Sequence, residues 1–199
     1  YDALNRLIKI DYPDDKDTEY TYDEEDVTNG RGRLTTVTDS SGQTRYWYDT
    51  RGNITKQECT IDNVSYTTLY EYNRNNQVTK ITYPDNTVVK YTLNSIGNIT
   101  AVDVGGTQIA SNISYEPFGG IKSMEYDLNS IDTTVTRDKQ YRITRIQAGT
   151  IIDRTYTYDY NGNIIAVKQN TGDTLPKPEV DARSDTNAYV TGTDRINSI

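Results

Sequence analysis

The chain has 199 residues, a net charge of −8 and no histidine. The missing histidine excludes Ser–His and Cys–His nucleophile systems and His-ligated metal sites. No apolar run approaches the roughly 18 residues of a membrane-spanning helix. The sequence also has no basic stripe that would predict nucleic-acid binding. Apolar residues are scarce at 34%, but 18 tyrosines supply large rings with polar tips, which suit a sheet with a partly wet face.

A short phrase returns along the chain and predicts a repeat architecture. It reads Tyr-Asp, a variable pair, Gly, then Arg or Asn and Leu or Ile, and it is clearest at 48–54 and 158–164. The Gly position of the copies falls at residues 5, 32, 52, 76, 97, 119, 141 and 162. The copy that opens at Tyr22 is stretched and closes late, at Gly32. A fixed period of this size indicates supersecondary units that each pack against their neighbours.

An acidic stretch at residues 11–26 carries the whole charge excess. It holds nine acids and one base, Lys16, while the remainder balances 20 acids against 20 bases. One interpretation is a weak cation site, although the Gly and terminal Glu of a calcium loop are missing. The other, which the spacing favours, is a solvated loop whose charges blunt a sheet edge.

Each repeat predicts a β-hairpin. Tyrosines approach the phrase at i and i+2, with Thr, Glu or Trp between them, and such alternation is a strand signal. Tyrosines at this spacing share a face, so we expect a structural aromatic ladder stacked across neighbouring repeats. Its predicted members are Tyr46, Tyr48, Tyr70, Tyr72, Tyr156 and Tyr158.

The centre of the phrase supplies turn chemistry. An Asp side chain accepts hydrogen bonds from backbone two residues on, and Gly or Asn tolerates a positive φ. The predicted turn residues are Asp49, Gly52, Asn53, Gly97, Asn98, Gly119, Asp159, Gly162 and Asn163.

An apolar pair at i and i+3 follows most turns, as at Leu34/Val37 and Val78/Ile81. In a regular strand its members would face opposite sides. Either the first residue belongs to the turn and plugs the hairpin base, or a bulge resets the register. The sequence leaves both alternatives open.

Catalysis finds no support in the sequence. Cys59 is the single cysteine and reads as a strand residue rather than a reactive thiol. No carboxylate pair sits in a recognisable glycosidase context. We therefore expect no enzyme activity, no cofactor and no metal.

The phrase, its period and the Tyr-x-Tyr approach resemble the Rhs or YD-repeat family over roughly residues 1–170. The linking phrase at 83–87, Tyr-Pro-Asp-Asn-Thr, fits the same pattern. The resemblance implies a segment of a large bacterial polymorphic toxin or toxin-complex subunit, with teneurins as animal cousins. In such proteins the repeats form an antiparallel sheet that spirals into a hollow shell around a toxic C-terminal segment. Their self-cleavage at an Asp-Pro bond is not carried over, because this sequence contains no Asp-Pro.

These observations predict an all-β array of antiparallel hairpins, forming a curved or spiralling sheet that is part of an Rhs-type hollow shell. Residues 1–170 would hold about eight repeats, residues 171–188 a Pro-containing linker or surface loop, and residues 189–199 the start of a further repeat. Because the chain begins and ends inside repeats, we expect a fragment that behaves poorly alone.

The expected function is structural. The repeats would encapsulate or present a C-terminal effector of a protein that is secreted or lies on the surface of a bacterium. Expected partners are the remaining repeats and the toxin segment, with no nucleic acid and no membrane span. The alternative is a cell-surface adhesion or carbohydrate-binding module, since aromatic-rich sheets can stack on sugar rings.

Overall fold

A computed structural model describes residues 1–13, 16–126 and 130–170. This part of the chain forms fifteen β-strands and no helix. The strands are β1 (Lys9–Ile10), β2 (Thr18–Tyr22), β3 (Leu34–Asp39), β4 (Gly42–Tyr48), β5 (Ile54–Ile61), β6 (Val64–Tyr72), β7 (Val78–Thr82), β8 (Val88–Leu93), β9 (Ile99–Val104), β10 (Thr107–Tyr115), β11 (Ile121–Tyr126), β12 (Ile131–Arg137), β13 (Ile143–Ala148), β14 (Ile152–Tyr158) and β15 (Ile164–Gln169).

The chain divides into two compact units, Tyr1–Thr107 and the part that begins at Gln108. In the first unit, β1 to β9 pair in chain order, each antiparallel to the next. In the second unit, β10 to β15 pair in the same way. The predicted all-β array of antiparallel hairpins is confirmed. The predicted linker at 171–188 and further repeat at 189–199 lie outside the described residues.

Two kinds of turn alternate along each unit. The first copy of the phrase precedes β1. The turn of each later copy joins two paired strands, from β2–β3 to β14–β15. The intervening hairpins, such as β3–β4 and β5–β6, close with other turns. A meander reverses direction at each turn. The phrase turns of a unit therefore all lie at one end of its strands, and the other turns lie at the opposite end.

A β-bulge follows each phrase turn. At β4–β5, Tyr48 pairs with Ile54 and Trp47 pairs with Lys56, so Thr55 has no residue opposite it. The same one-residue shift recurs at the other phrase turns, with the extra residue at Thr35, Thr79, Thr100, Lys122, Thr144 and Ile165. Of the two alternatives left open by the sequence, the register selects the bulge.

The bulge places the i, i+3 apolar pairs on the same face as the phrase tyrosines. Tyr72 pairs with Val78, and Tyr70, two residues earlier, pairs with Ile81. Cross-strand partners share a face of a sheet, so all four side chains lie together. We call this side of each sheet the tyrosine face. The opposite side of the first unit, the polar face, includes Glu19, Thr36, Arg45, Lys56, Glu58, Glu71, Lys80 and Lys90.

Deep burial is local. Most strand residues are half-buried, as expected where a sheet is one layer thick. Among the described residues, the deepest burial lies at the stretched turn at 23–33, where Val27 is 4% exposed beside the fully buried Thr35. A Cβ on Gly30 would lie 2.8 Å from the Thr35 methyl, so only glycine fits there. The Thr28 carbonyl accepts a hydrogen bond from the Tyr48 amide at 3.2 Å, which ties the turn to β4.

Candidate functional site

The phrase turn is a carboxylate-centred loop. Asp49 Oδ1 accepts hydrogen bonds from the Arg51 amide (2.8 Å) and the Asn53 amide (2.9 Å), and Oδ2 accepts one from Asn53 Nδ2 (2.8 Å). The Asp49 amide also donates to the Asn53 carbonyl at 2.8 Å. The Asn53 bonds favour the ionised carboxylate and lower the pKa of Asp49. Asp49 therefore acts as a structural acceptor.

The same side-chain-centred loop recurs at the predicted turns that open with Asp159 and Asn94. Asp159 accepts from the Asn163 amide at 2.8 Å and from its side chain at 3.0 Å. In another copy, Asn94 replaces the acid and accepts from the Asn98 amide at 2.9 Å. The Gly position of all eight copies has a positive φ, including Gly52, Gly97, Gly119 and Gly162 between 87° and 94°. The period read from the sequence therefore marks the left-handed residue of each turn.

The first tyrosine of a phrase reaches back to the previous phrase. The Tyr72 hydroxyl donates to the Ile54 carbonyl at 2.7 Å, and the Tyr158 hydroxyl donates to the Ile143 carbonyl at 2.7 Å. Tyr48 makes the equivalent bond to the Leu34 carbonyl. In each case the acceptor is the first residue after the preceding turn, so the hydroxyl joins consecutive repeats.

The other tyrosine of each pair lies two residues before the phrase tyrosine and on the same face of the sheet. Tyr46, Tyr70 and Tyr156 sit opposite Gln57, Ile81 and Val167. Burial raises the pKa of Tyr46, Tyr48 and Tyr72. In the described part of the chain, the ring pair in contact is Phe118–Tyr141, with centroids 4.3 Å apart. Hydroxyl-to-carbonyl bonds connect Tyr48, Tyr72 and Tyr158 to the preceding repeat, and the stacking of the ladder across repeats stays a prediction.

The arginine that follows the Gly position of a phrase packs over the ring of the tyrosine that opens the next phrase. The Arg6 guanidinium lies 4.3 Å from the centre of the Tyr22 ring, and Arg142 lies 4.6 Å from that of Tyr158. Such cation–π contacts contribute about 0.5–1 kcal/mol at exposed sites. Sequence reasoning missed this pairing, although its signal is readable: an Arg directly after the Gly position of one copy and a Tyr that opens the next copy.

One repeat inverts the pairing. Arg137 occupies the tyrosine position of its phrase and donates from Nη2 to the Ile121 carbonyl at 3.4 Å. That carbonyl is equivalent to the one that a tyrosine hydroxyl uses elsewhere. The covering position on the previous phrase is Gly120, where a Cβ would lie 3.0 Å from Arg137 Nη2. The arginine therefore fills space that a small residue leaves.

The threonine of four bulges completes the hydrogen bonding at the interrupted ladder. Thr35 Oγ1 donates to the Thr21 carbonyl at 3.0 Å, and Thr55 Oγ1 donates to the Trp47 carbonyl at 3.3 Å. Thr79 and Thr100 donate to the carbonyls of Glu71 and Thr92 at 3.3 and 3.2 Å. A bulge otherwise leaves backbone groups unpaired, which explains threonine at this position.

The acidic stretch pairs with bases from neighbouring strands. Arg6 Nη2 lies 2.6 Å from Asp23 Oδ2, Arg45 Nη2 lies 2.7 Å from Asp26 Oδ2, and Lys9 pairs with Asp17. Asp14 and Asp15 lie outside the described residues. Among the residues described, no group of three acids, cysteines or histidines is placed to hold a metal ion.

Within the described residues, no helix is long and apolar enough to cross a membrane.

Comparison with known proteins supports the repeat interpretation. The sequence model of the RHS repeat family matches residues 29–58. The chain is 27% identical over 207 aligned residues to the tRNA3(Ser)-specific nuclease WapA of Bacillus spizizenii, and this covers 92% of the chain but 8% of that protein. The chain therefore spans a small fraction of its relative.

Solved structures share the fold. The crystal structure of TcdB2-TccC3 matches with a TM-score of 0.73 at 17% identity, covering 83% of this chain and 10% of that one. The Photorhabdus luminescens Tc holotoxin pore matches with a TM-score of 0.71 at 17% identity and the same coverage. The predicted resemblance to Rhs and YD-repeat proteins is confirmed.

Proposed function

We propose that this chain, a run of Rhs/YD repeats, is a structural wall segment that encapsulates or presents the effector of a larger exported bacterial toxin. The names of its relatives describe a nuclease and a toxin complex, and the chain spans about a tenth of each solved chain. A segment of this size would contribute part of a wall, and other repeats of the parent protein would contribute the rest.

The coupling between repeats is the observation that carries the proposal. Each phrase tyrosine that bonds the preceding exit carbonyl, such as Tyr72 to Ile54, ties one hairpin to the one before it. The arginine that follows the Gly position of a phrase adds a second link at Arg6, Arg33 and Arg142. Stability that arises from nearest-neighbour contacts suits an extended wall rather than a closed globular core.

The two faces of the sheet differ as the two sides of a wall would. The tyrosine face carries rings and aliphatic side chains such as Tyr70 and Ile81. The polar face carries charges such as the Lys80–Glu71 pair, 2.7 Å apart. An antiparallel sheet with one apolar face normally packs that face against something. Within the described part of the first unit no helix lies over it, which leaves this face to whatever the wall holds.

The wall would be catalytically passive. The carboxylates that recur at the phrase turns, such as Asp49 and Asp159, accept hydrogen bonds from their own loops. The Asp153 carboxylate likewise accepts hydrogen bonds from Arg145 and Asn170. These acids are engaged in structure, so we assign any hydrolytic activity of the parent protein to another segment.

A carbohydrate-binding module is less well supported. That role requires several rings free to stack on sugars. Tyr48, Tyr72 and Tyr158 instead place their hydroxyls against backbone carbonyls, and Tyr48 is only 8% exposed. Tyr-x-Tyr pairs precede four of the eight copies, at 20/22, 46/48, 70/72 and 156/158, and this spread along the array fits a wall.

Limited proteolysis of the parent protein tests the wall. We expect the C-terminal segment to resist protease in the parent protein and to be digested when expressed without the repeats. Substituting Tyr48→Ala and Tyr72→Ala together should remove two inter-repeat bonds and make the segment accessible. Tyr160→Ala is the matched control, because Tyr160 is fully exposed. Digestion of the segment at the same rate with and without the repeats would refute encapsulation.

A further inference from the structure

The first unit contains a step in its sheet. The hairpin β5–β6 has strands of eight and nine residues, whereas the next hairpin, β7–β8, has strands of five and six. Pairing between β6 and β7 begins at Leu69 and Thr82. The longer hairpin therefore extends past the turn at Tyr83–Thr87.

The step leaves one side of β6 without a strand partner. Residues Val64 to Tyr66 pair with β5 on one side, from Ile61 to Cys59. On the side of β7, no described strand pairs with Val64–Thr68. Five residues at about 3.3 Å each give a free edge of roughly 17 Å. The edge contains no lysine and no proline, the residues that commonly block strand addition.

An apolar groove adjoins this free edge on the tyrosine face. It encloses about 490 Å³ and is lined by Tyr66, Tyr83, Pro84, Asp85 and Thr87. Tyr66 and Tyr83 are 47% and 41% exposed, far more than the 8% of Tyr48. Val64 continues the apolar surface at 52% exposure. These rings take no part in the inter-repeat bonds described above.

The groove has a negative rim. The Thr87 amide donates to Asp85 Oδ1 at 2.9 Å and lowers the pKa of that carboxyl, so Asp85 is ionised at neutral pH. Asp62 lies at the tip of the longer hairpin, and no basic residue lines the groove. The site therefore favours a ligand with positive charge and disfavours phosphate or nucleic acid.

We propose that the step formed by Val64–Thr68 and the Tyr83–Thr87 turn is a docking site for an extended, basic stretch of the polypeptide that the wall holds. The stretch adds as a short strand to the free edge of β6 and places an apolar side chain in the groove. A lysine or arginine on it pairs with Asp85. The identity of the occupant rests on the proposed function of the chain.

The free backbone edge selects a peptide over other occupants. Strand addition uses main-chain hydrogen bonds for affinity and pockets on one face for specificity, and the step offers both. A sugar would use the rings but not the backbone. A second copy of this chain would bring its own Asp62 and Asp85 to the same edge, where like charges repel.

Peptide binding to this chain tests the site. The probe is a labelled peptide of roughly twelve residues, long enough to span the edge, with alternating Thr and Val and one Lys near each end. We expect slower amide exchange across Val64–Thr68 when the probe is bound. The same probe with every backbone amide N-methylated has no N–H donor on either edge and should not protect these amides.

Three variants report on the side chains. Tyr66→Ala should weaken the probe about tenfold or more, since exposed aromatic anchors dominate such contacts. Asp85→Asn keeps the acceptor for the Thr87 amide and should weaken the probe about threefold. Ser65→Ala lies next to Tyr66 on the opposite face and should leave binding unchanged. A probe with Glu in place of Lys should bind more weakly to the wild-type chain than to Asp85→Asn.

Other outcomes overturn the proposal. Protection of Val64–Thr68 that rises with protein concentration without the probe would identify a second copy as the occupant. Binding of chitohexaose at Tyr66 and Tyr83, without protection by the peptide, would identify a sugar site. Equal probe binding by wild type and Tyr66→Ala would exclude the groove. Each result leaves protease protection in the parent protein unaffected, so failure here is distinguishable from failure of the wall.

Discussion

At the scale of single residues, the repeat is held by groups that perform the same task in successive copies. The phrase tyrosine donates its hydroxyl to the preceding exit carbonyl, as Tyr158 does to Ile143. The bulge threonine donates to a backbone carbonyl of the strand opposite the bulge, as Thr79 does to Glu71. The hydrogen bond that is made at each position therefore explains the residue type there better than the hydrophobicity of the side chain does.

Truncation of Tyr158 separates the ring from the hydroxyl. We expect Tyr158→Ala to lower the free energy of unfolding by about 3 kcal/mol, by analogy with large aromatic deletions. Tyr158→Phe should cost about 1 kcal/mol, because the Ile143 carbonyl loses its donor. Tyr160→Phe, at a fully exposed ring, is the control for chemical denaturation. Equal stability of Tyr158→Ala and wild type would show that the ladder does not contribute.

Replacing a left-handed glycine with alanine should lower the free energy of unfolding by different amounts at Gly119 and at Gly97. Gly119 has φ 94° and open space around its missing Cβ, so Gly119→Ala should cost about 1 kcal/mol for backbone conformation alone. At Gly97, with φ 89°, the Cβ would lie 2.1 Å from Gln77 Nε2, which donates to the Gly97 carbonyl at 2.9 Å. Gly97→Ala should therefore cost more. Thermal unfolding of both variants checks this, and an equal loss would mean that Gln77 moves aside freely.

At the scale of elements, the bulge decides which side chains share a face. Because the side-chain period of a strand is two, a one-residue slip moves every later side chain to the other face. The bulge at Thr79 puts Val78 and Ile81 together with Tyr70 and Tyr72. The apolar i, i+3 spacing is thus a strand pattern interrupted by one residue.

Insertion of an alanine after Thr79 should be far more damaging than substitution of Thr79. With the added residue opposite Glu71, Lys80 would turn to the tyrosine face and Ile81 to the polar face, and the Lys80–Glu71 pair would be lost. Thr79→Ser keeps both the register and a hydroxyl, and should cost less than about 1 kcal/mol. Urea denaturation of the two variants compares the effects. Near-wild-type stability of the insertion would show that the strand adapts without a defined register.

An ion pair fastens the last described strands, and it predicts a pH dependence. Arg145 Nε and Nη2 donate to the Asp153 carboxylate at 2.8 and 2.7 Å, and Asn170 Nδ2 donates to the same group at 3.0 Å. These bonds lower the pKa of Asp153 to about 2, against about 3.9 when unfolded. The stabilisation is therefore fully present above about pH 4 and is lost as pH falls towards 2.

Replacing Asp153 with Asn should remove this part of the acid sensitivity. We expect the melting temperature of wild type to fall more steeply between pH 4 and pH 2 than that of Asp153→Asn, following the pKa of about 2. Arg145→Gln should flatten the same interval. Parallel pH profiles for wild type and Asp153→Asn would show that the pair does not persist in solution.

At the scale of the whole molecule, stability should vary along the array rather than reside in one core. The first unit has long central strands, β4 to β6, and a buried cluster at Val27 and Thr35, whereas β1 has two residues. In a nearest-neighbour array, local opening is easiest where contacts are fewest.

Hydrogen exchange can map this gradient. We expect amides of β4 and β5 to be the most protected in the first unit and those of β1 the least. Tyr48→Ala should accelerate exchange around β3 to β5 more than around β8 and β9, because its hydroxyl bonds the Leu34 carbonyl. Uniform protection, or a uniform loss on substitution, would indicate a single cooperative domain instead of coupled repeats.

The sequence by itself determined the fold class and the turns. The period located all eight left-handed positions, from Asn5 to Gly162, because turn chemistry is local and requires particular residues at fixed offsets. The Tyr-x-Tyr alternation identified the strands for the same reason. Within the described residues, the all-β hairpin array therefore followed from short-range patterns.

Only the tertiary structure decided what those residues contact. The bulge, the Tyr72–Ile54 bond, the inverted Gly120–Arg137 pair and the step beside Val64 depend on how one hairpin registers against the next. Partners 14 to 18 residues apart are set by strand pairing, which no local pattern encodes. The free edge of β6 exists because the β5–β6 hairpin is longer than the β7–β8 hairpin beside it. A difference in length matters only once the two hairpins are paired.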